Sequence, residues 1–266
     1  MSTLQQPSIS VIMATQACNT IYFNEALRSV LCQTCSEFEL LIIFDGCGED
    51  RVECVLAGFD DPRIRVIRSN SNRGLARSLN IAVRLARAPL LARMDDDDRC
   101  LPYRLQLQRE EIERRGCDVL GTNAFVIDGE GCRVNKDAVL RANPDLAAGP
   151  FGAIFGNLFI HPSVMIRREW ALHNRYNRSW ERGQDRELWV RSAPHSIFGH
   201  LETPLLEYRR QTATKSVQMK NIRNAYRLIW KFRRRFKLYV PALFVANGVR
   251  HVIYFIRRVS MKSLSL

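Results

Sequence analysis

The chain has 266 residues, of which 46% are apolar, 25% charged and 9% aromatic. That is globular composition with enough length for a sizeable core, and it excludes a collagen-like chain, a low-complexity chain and a small disulfide scaffold. The formal charge of +13 is unevenly placed: residues 208–266 hold 15 basic and no acidic side chains, leaving 25 basic against 27 acidic in residues 1–207. The body is therefore near neutral and the tail strongly basic, which argues against a body that works by coating nucleic acid.

Ser8–Ala14 (SISVIMA) is a short β-branched run. Asn24–Gln33 has helical spacing, with Ala26, Leu27, Val30 and Leu31 on one face. Phe38–Phe44 (FELLIIF) is nearly continuous apolar sequence, as befits a strand covered on both faces. Arg63–Ile67 is a third strand, and Leu75, Leu79, Ala82, Val83 and Ala86 form one helical stripe. Pro89–Met94 is a fourth strand that runs into Asp95-Asp96-Asp97-Asp98. Leu101–Gly116 reads as a helix with Pro102 in its first turn, and Cys117–Gly121 as another short strand.

This alternation predicts an α/β fold: a mostly parallel central sheet with helices on both faces. Ligands of such sheets sit at the carboxyl ends of the strands. Asp45 and Asp95 each directly follow a strand and so fall on that edge. Residues 129–156 read as a long irregular loop. His161–Arg167 reads as a strand, Asp185–Arg191 as the start of a helix and Leu205–Arg209 as a late strand.

Four adjacent carboxylates repel one another unless solvated or neutralised by a cation. At the end of a buried strand they read as a metal–diphosphate site, because Mg²⁺ and Mn²⁺ take carboxylates together with substrate phosphates. The alternative is an acidic surface turn. All eight cysteines lie before residue 133 and all five histidines after residue 160, so no zinc spacing exists and the thiols read as buried and reduced. The N-terminus lacks the charge and apolar run of a signal peptide.

Ordered stretches across the first ~216 residues give the chain its likeness to a known family. They are Ser10–Met13; Glu25–Val30 with Gln33; Phe38–Leu40 through Asp45-Gly46; Asn72–Ala76 with Asn80; Ala92–Asp98 with Pro102, Arg104-Leu105 and Gln108; His161–Met165 with Arg167–Glu169; Asp185, Leu188-Trp189 and Arg191; and Tyr208-Arg209 with Ser216. Together they resemble the inverting glycosyltransferases of family 2, of bacterial surface-polysaccharide type. The resemblance implies a GT-A fold over residues 1–216, with a nucleotide-binding half of about 1–125 and an acceptor half of 126–216. It implies transfer of a sugar from a nucleotide diphosphate sugar, a UDP-sugar favoured, to an acceptor hydroxyl of a saccharide or lipid-linked saccharide. The cofactor implied is Mn²⁺ or Mg²⁺.

By the same resemblance Asp185 is the general base, and Asp97 binds the metal with Asp95 beside it. Asp45, Arg73, Asp95, Asp96 and Asp97 face the nucleotide. Three positions depart from the family pattern. Phe44 stands where a first acid is usual, Ala14–Ala17 where Pro-Val-Tyr-Asn is usual, and Gln184 where a Glu precedes the base. His161 and Trp189 are the acceptor-side candidates. His161 either positions the acceptor or a phosphate, or is a histidine satisfied by backbone; Trp189 is either core packing or a sugar platform. Arg209 either pairs with diphosphate or ends a strand.

Residues 217–266 read as a basic helical extension. Ile222, Ala225, Tyr226, Ile229, Phe232 and Phe236 share one helical face, with Lys220, Arg223, Arg227, Lys231, Arg234 and Arg235 opposite. Such a helix lies on a membrane surface, here through about 217–258, or docks on the catalytic domain with a solvated basic back. Leu238–Ile256 is long enough to span a bilayer, but Pro241, Asn247, Arg250 and His251 interrupt it, favouring an in-plane or docked helix. A membrane contact implies a cytoplasmic enzyme on the inner face of the membrane. Two other readings are a catalytically inactive sugar-nucleotide-binding protein and a non-specific nucleic-acid binder through the tail. A dehydrogenase is excluded by the lack of glycine after the first strand.

Overall fold

The computed structural model describes residues 6–16, 20–134, 139–147, 149–210 and 215–250. The first half alternates strand and helix: β1 (Ile9–Thr15), α1 (Thr20–Leu31), β2 (Phe38–Asp45), α2 (Glu49–Leu56), β3 (Ile64–Ser69), α3 (Leu75–Leu85) and β4 (Leu90–Met94). Then come β5 (Arg99–Cys100), α4 (Arg104–Arg115), β6 (Val119–Ile127), β7 (Val139–Leu140), α5 (Pro150–Phe155), β8 (Met165–Arg167), α6 (Arg168–His173), α7 (Gln184–Ser192) and β9 (Phe198–Arg209). The chain closes with α8 (Lys215–Lys231), α9 (Arg233–Phe236) and a further helix, α10, at 240–250.

One sheet runs β3-β2-β1-β4-β8-β6-β9-β5, with β7 added to β6. The long registers, β1 with β2 and β4, β2 with β3, and β6 with β9, are parallel. The antiparallel pairings are two or three residues long. The sheet is thus mostly parallel with helices on both faces, as the sequence predicts. Successive strand residues point to opposite faces, and the core divides accordingly. Ile12, Leu41, Ile43 and Leu91 pack under α3, α6 and α7. Val11, Met13, Leu40, Ile42 and Ala92 pack under α1, α2 and α4.

The chain steps from β1 outward to β3, then returns to place β4 on the other side of β1. That reversal leaves a crevice beyond the carboxyl ends of β1 and β4, where ligands of open α/β sheets bind.

Several elements differ from the sequence reading. The strand after α4 continues to Ile127 because β9 pairs with it along its whole length. The stretch 129–156 contains β7, a 3₁₀ turn at Pro144–Ala147 and α5. His161–Ser163 is a 3₁₀ turn, because Pro162 fixes a helical φ at its start, and only Met165–Arg167 is strand. Of the seven described cysteines, all are free, but Cys32, Cys54 and Cys132 are exposed rather than buried. Cys18 lies outside the described residues.

The tail packs on the body. Ala225, Leu228, Ile229, Phe236 and Leu243 are buried in the core that lies under α3 and α7. The apolar stripe expected to meet a membrane therefore faces protein. Arg227 lies 4.6 Å over the Trp180 ring, Lys231 pairs with Glu187, and Arg235 donates to the Val190 and Ala147 carbonyls. Among the described residues no helix is long and apolar enough to cross a membrane. Residues 251–258 of the expected membrane surface lie outside the described residues.

Candidate active site

A cleft of about 1290 Å³ opens at the carboxyl ends of β1, β2 and β4. One wall comes from the sheet edge: Thr15, Asp45, Arg73, Arg93, Asp95 and Asp96. The rest of the lining comes from His161, the loop before α7, Asp185 in its first turn, α8 and Arg250.

The aspartates form a cluster around the end of β4. Asp95, Asp97 and Asp98 each offer a carboxylate oxygen within 4.8 Å of the others, which adds Asp98 to the pair expected from the sequence. Burial first, then the charges of Asp95 and Asp96, push the Asp97 carboxyl up to about 6. Burial also raises Asp96, and raises Asp98 well above the ordinary aspartate range, with the other aspartates adding to it. Asp98 is 1% exposed, and its Oδ2 is buried without a hydrogen-bond partner among the described residues. Crowded, desolvated carboxylates with an orphaned oxygen are short of positive charge. This donor set fits a hard divalent cation.

Two arginines frame the cluster. Arg93, only 2% exposed, pairs with Asp95 from inside β4. Arg209 lies behind the loop. Its backbone N–H donates to Asp98 Oδ1 at 2.7 Å, its Nε to the Asp97 carbonyl at 2.8 Å, and its Nη2 to Glu25. Arg209 is thus a buried brace, which decides between the two readings of that residue. Thr15 Oγ1 donates to Asp96 Oδ2, tying the end of β1 to the end of β4.

Asp45 also lies at the cleft, but both its oxygens are engaged. They accept the backbone N–H groups of Arg73 and Gly74 at 2.7 and 2.8 Å. It fixes the turn before α3, where Gly74 has φ +85. The adjoining Gly46 has φ +82, and a Cβ there would lie 2.6 Å from the Asn72 nitrogen, so only glycine fits. The exposed Arg73 is thereby set at the cleft rim. Phe44, at the departure noted above, is 1% exposed and packs against Phe23, pointing away from the cleft.

His161 shares a 2.8 Å hydrogen bond between Nε2 and the Tyr176 hydroxyl. Burial first, and then Arg93, hold the imidazole well below its ordinary pKa, so it is neutral near pH 7. Tyr176 is clamped by Asn80, which donates to its carbonyl at 2.8 Å and accepts its N–H at 3.0 Å. Burial raises the Tyr176 phenol, and the carboxylates of Asp185 and Asp95 both act on it. Tyr176 is 5% exposed and lies behind the cleft lining, where it holds His161. Sequence reasoning missed Tyr176, which falls in an irregular segment, and gave Arg93 no role. A charge within the apolar run PLLARM was the available signal for Arg93.

Trp189 corrects the acceptor-side expectation. It is 1% exposed, stacks on Trp170 and meets Phe159 edge-on, and it lines no part of the cleft. Position 189 lies four to five residues into α7, on the face turned to the core. The tryptophan that lines the cleft is Trp180. Gln184, in place of the usual Glu, is buried with Oε1 unpartnered among the described residues.

A parallel sheet reversing at β1, with an aspartate cluster at that switch point, defines a GT-A glycosyltransferase architecture. The sequence model of Glycosyl transferase family 2 matches residues 10–173, and the chain belongs to that family. It is 30% identical over 206 residues to the O-antigen biosynthesis glycosyltransferase WbnJ of Escherichia coli, covering 76% of this chain and 79% of that one. It is 28% identical over 242 residues to the uncharacterized glycosyltransferase MJ1057 of Methanocaldococcus jannaschii, covering 88% and 83%. Among solved structures, S. aureus TarS 1-349 in complex with UDP-GlcNAc superposes with a TM-score of 0.64 at 16% identity. That match covers 84% of this chain and 66% of TarS 1-349, slightly under two thirds of its length.

Proposed function

We propose that the protein transfers a sugar, with inversion, from a nucleotide diphosphate sugar to an acceptor hydroxyl, and that the donor is a UDP-sugar. The observation that carries this reading is that Asp95, a member of the aspartate cluster, lines the same cleft as Asp185. The UDP-GlcNAc held by the structural neighbour TarS supports the choice of base. The role of WbnJ in O-antigen biosynthesis supports a saccharide acceptor, lipid-linked, in surface-polysaccharide assembly. In this reading residues 1–216 are the catalytic unit.

Asp95 and Asp97 would hold Mn²⁺ or Mg²⁺, with the buried Asp98 oxygen behind them. Such an ion supplies neutralisation of the charge growing on the leaving diphosphate. Asp185 takes the proton from the acceptor hydroxyl as that oxygen attacks the anomeric carbon from the far side. Arg73 meets the nucleotide at the rim. His161, which lines the cleft and is kept neutral, serves as a hydrogen-bond partner to the sugar or acceptor and not as an acid.

The protein acts at the cytoplasmic face of a membrane. Since the apolar stripe of α8 is covered, contact runs through the exposed side chains of the tail. Trp230 at the end of α8, and Leu238, Tyr239 and Val245 after it, are more than half exposed, and Arg233, Arg234 and Lys237 fall between them in the sequence. Aromatic, aliphatic and basic side chains together suit an anionic bilayer surface. Flotation with vesicles of anionic and of neutral lipid checks this: binding to the anionic vesicles alone is expected, lost in 0.5 M salt.

Calorimetric titration of UDP, GDP and dTDP, with and without Mn²⁺, tests the donor. UDP binding that strengthens with Mn²⁺ is expected, and Asp97→Asn removes the strengthening. Asp185→Asn is expected to keep UDP binding and to lower transfer by about 10²-fold or more. Undiminished transfer in that variant would remove Asp185 from the mechanism.

A further inference from the structure

Arg93 places a charge inside the apolar run of β4. It shares a strand face with Leu91, which packs among apolar residues under α3, α6 and α7. Its backbone is fixed from both sides. The Arg93 N–H donates to the Val164 carbonyl at 2.9 Å, and the Arg93 carbonyl accepts Nη2 of the fully buried Arg104 at 2.7 Å. The guanidinium therefore stands on a rigid strand, and it lines the cleft. Burial works against its charge, and the neighbouring acids, Asp95 foremost, more than offset burial and keep it ionised.

Only part of this guanidinium is satisfied. Nη2 pairs with Asp95, while Nε and Nη1 are buried with no hydrogen-bond partner among the described residues. Unmet N–H groups on a buried cation are costly, and at a cleft wall a ligand's oxygen atoms complete them. Arg209, the other arginine of the cluster, has no such spare donors. Its Nε and Nη1 meet the carbonyls of Asp97, Asp128 and Gly129, and its Nη2 meets Glu25. The charge of Arg93 also reaches Asp96, Asp97 and Asp98 and favours their ionised forms. One unit of positive charge is thus already built in beside the carboxylates that would hold a divalent ion.

We infer that Arg93 is a resident counter-ion of the aspartate cluster with two opposed effects: its charge weakens the binding of a divalent ion on its own, and its free N–H groups hold diphosphate oxygens of the donor. The first effect follows because guanidinium and ion share the Asp95 carboxylate in a desolvated site, where like charges repel strongly. The second follows because charged N–H groups at a cleft wall favour phosphate oxygens. The inference rests on the reading of the cluster as the donor's metal–diphosphate site. It adds an order to that site: the nucleotide binds first, against Arg93, and its negative charge then recruits the ion.

The test is titration of Mn²⁺ alone, and separately of UDP in EDTA, into the full chain as wild type, Arg93→Met and Arg93→Lys. Methionine keeps an unbranched apolar stem and removes the charge. Mn²⁺ alone is expected to bind Arg93→Met about tenfold or more tighter than wild type, and UDP in EDTA about tenfold or more weaker, the worth of one charged hydrogen bond. A variant that had merely lost structure would weaken both, so the opposite signs separate the charge from a packing role. Arg93→Lys keeps the charge and is expected to bind Mn²⁺ as weakly as wild type. Mn²⁺ binding to Arg93→Met that is no tighter than to wild type, or no UDP binding to wild type in EDTA, overturns the inference; UDP binding to wild type in Mn²⁺ then still upholds the donor reading. UDP that binds wild type under neither condition sinks the donor reading, and the inference with it. Should Arg93→Met fail to fold by circular dichroism, the other two proteins decide: tighter Mn²⁺ binding to Arg93→Lys than to wild type overturns the inference, and equal Mn²⁺ binding together with UDP binding to wild type in EDTA supports it.

Discussion

Asp45 accepts the backbone N–H groups of Arg73 and Gly74, and the second of these also donates to Asn72 Oδ1 at 3.0 Å. Asparagine offers one carbonyl oxygen where the carboxylate offers two, so Asp45→Asn removes one of the two bonds, and loss of the bond to the Arg73 N–H leaves that donor without its partner. The expected cost is about 1–3 kcal/mol in urea unfolding, with Arg73 displaced from the rim. Residues of this kind divide sharply in how well a sequence reveals them. Asp95–Asp98 are visible because four like charges at a strand end need a cation or water. Asp185 is visible only through resemblance, since one aspartate in a helix's first turn is also an ordinary helix-start residue. Tyr176 carries no signal, because its position depends on Asn80, 96 residues away, reaching it with both ends of its amide. Trp189 and Trp180 look alike in sequence. Only the packing of α7 separates the core tryptophan from the one at the cleft.

Among the elements, β2 shows how a strand tolerates a charge. Glu39 is 5% exposed inside the apolar run, and burial works against its ionised form. The Ser10 hydroxyl at 2.6 Å, the Arg87 N–H at 2.6 Å and the Arg65 guanidinium outweigh burial and hold it below the ordinary glutamate value of 4.5. The unfolded chain therefore takes up this proton first as pH falls. The stabilisation is complete above about pH 4.5 and disappears as pH drops through the lower folded value. Urea midpoints measured from pH 7 to pH 3 are expected to fall less steeply below 4.5 in Glu39→Gln than in wild type. The same elements mark what periodicity can show. The stripe Leu79, Ala82, Val83 and Ala86 is buried as its spacing predicts. α2 is missed because only Val52 and Val55 of its eight residues are buried, too few for a pattern. Pro162 turns an apparent strand into a 3₁₀ turn, a local rule stronger than the alternation around it.

At the scale of the molecule, the tail is a structural part of the body. Leu228, 1% exposed, fills core space under α3 and α7, and Leu228→Ala is expected to lower stability by about 2–5 kcal/mol. Trp230, 60% exposed two residues away, is expected to change stability by less than about 0.5 kcal/mol when replaced by alanine, and to weaken vesicle binding. Both are read by denaturation, and the second also by flotation. The parallel half of the sheet is legible because each strand is followed by its crossover helix. The antiparallel half is not, since pairings of two or three residues leave no periodic trace, and the strand order β4-β8-β6-β9 brings distant segments together. Charge segregation is legible, but which face of α8 meets protein is decided by the surface that receives it. The brace at Arg209 adds a constraint on time. This residue joins Glu25, Asp98 and the Asp128 carbonyl, partners up to 184 positions away in the chain. During synthesis the aspartate loop emerges more than a hundred residues before the arginine that supports it. The first half of the sheet can pair early, whereas the reactive edge must wait for the last strand, so its closure is the latest and slowest of the sheet's contacts to form. A chain interrupted before residue 209 would keep strands β1 to β4 and lose the shape of the cluster.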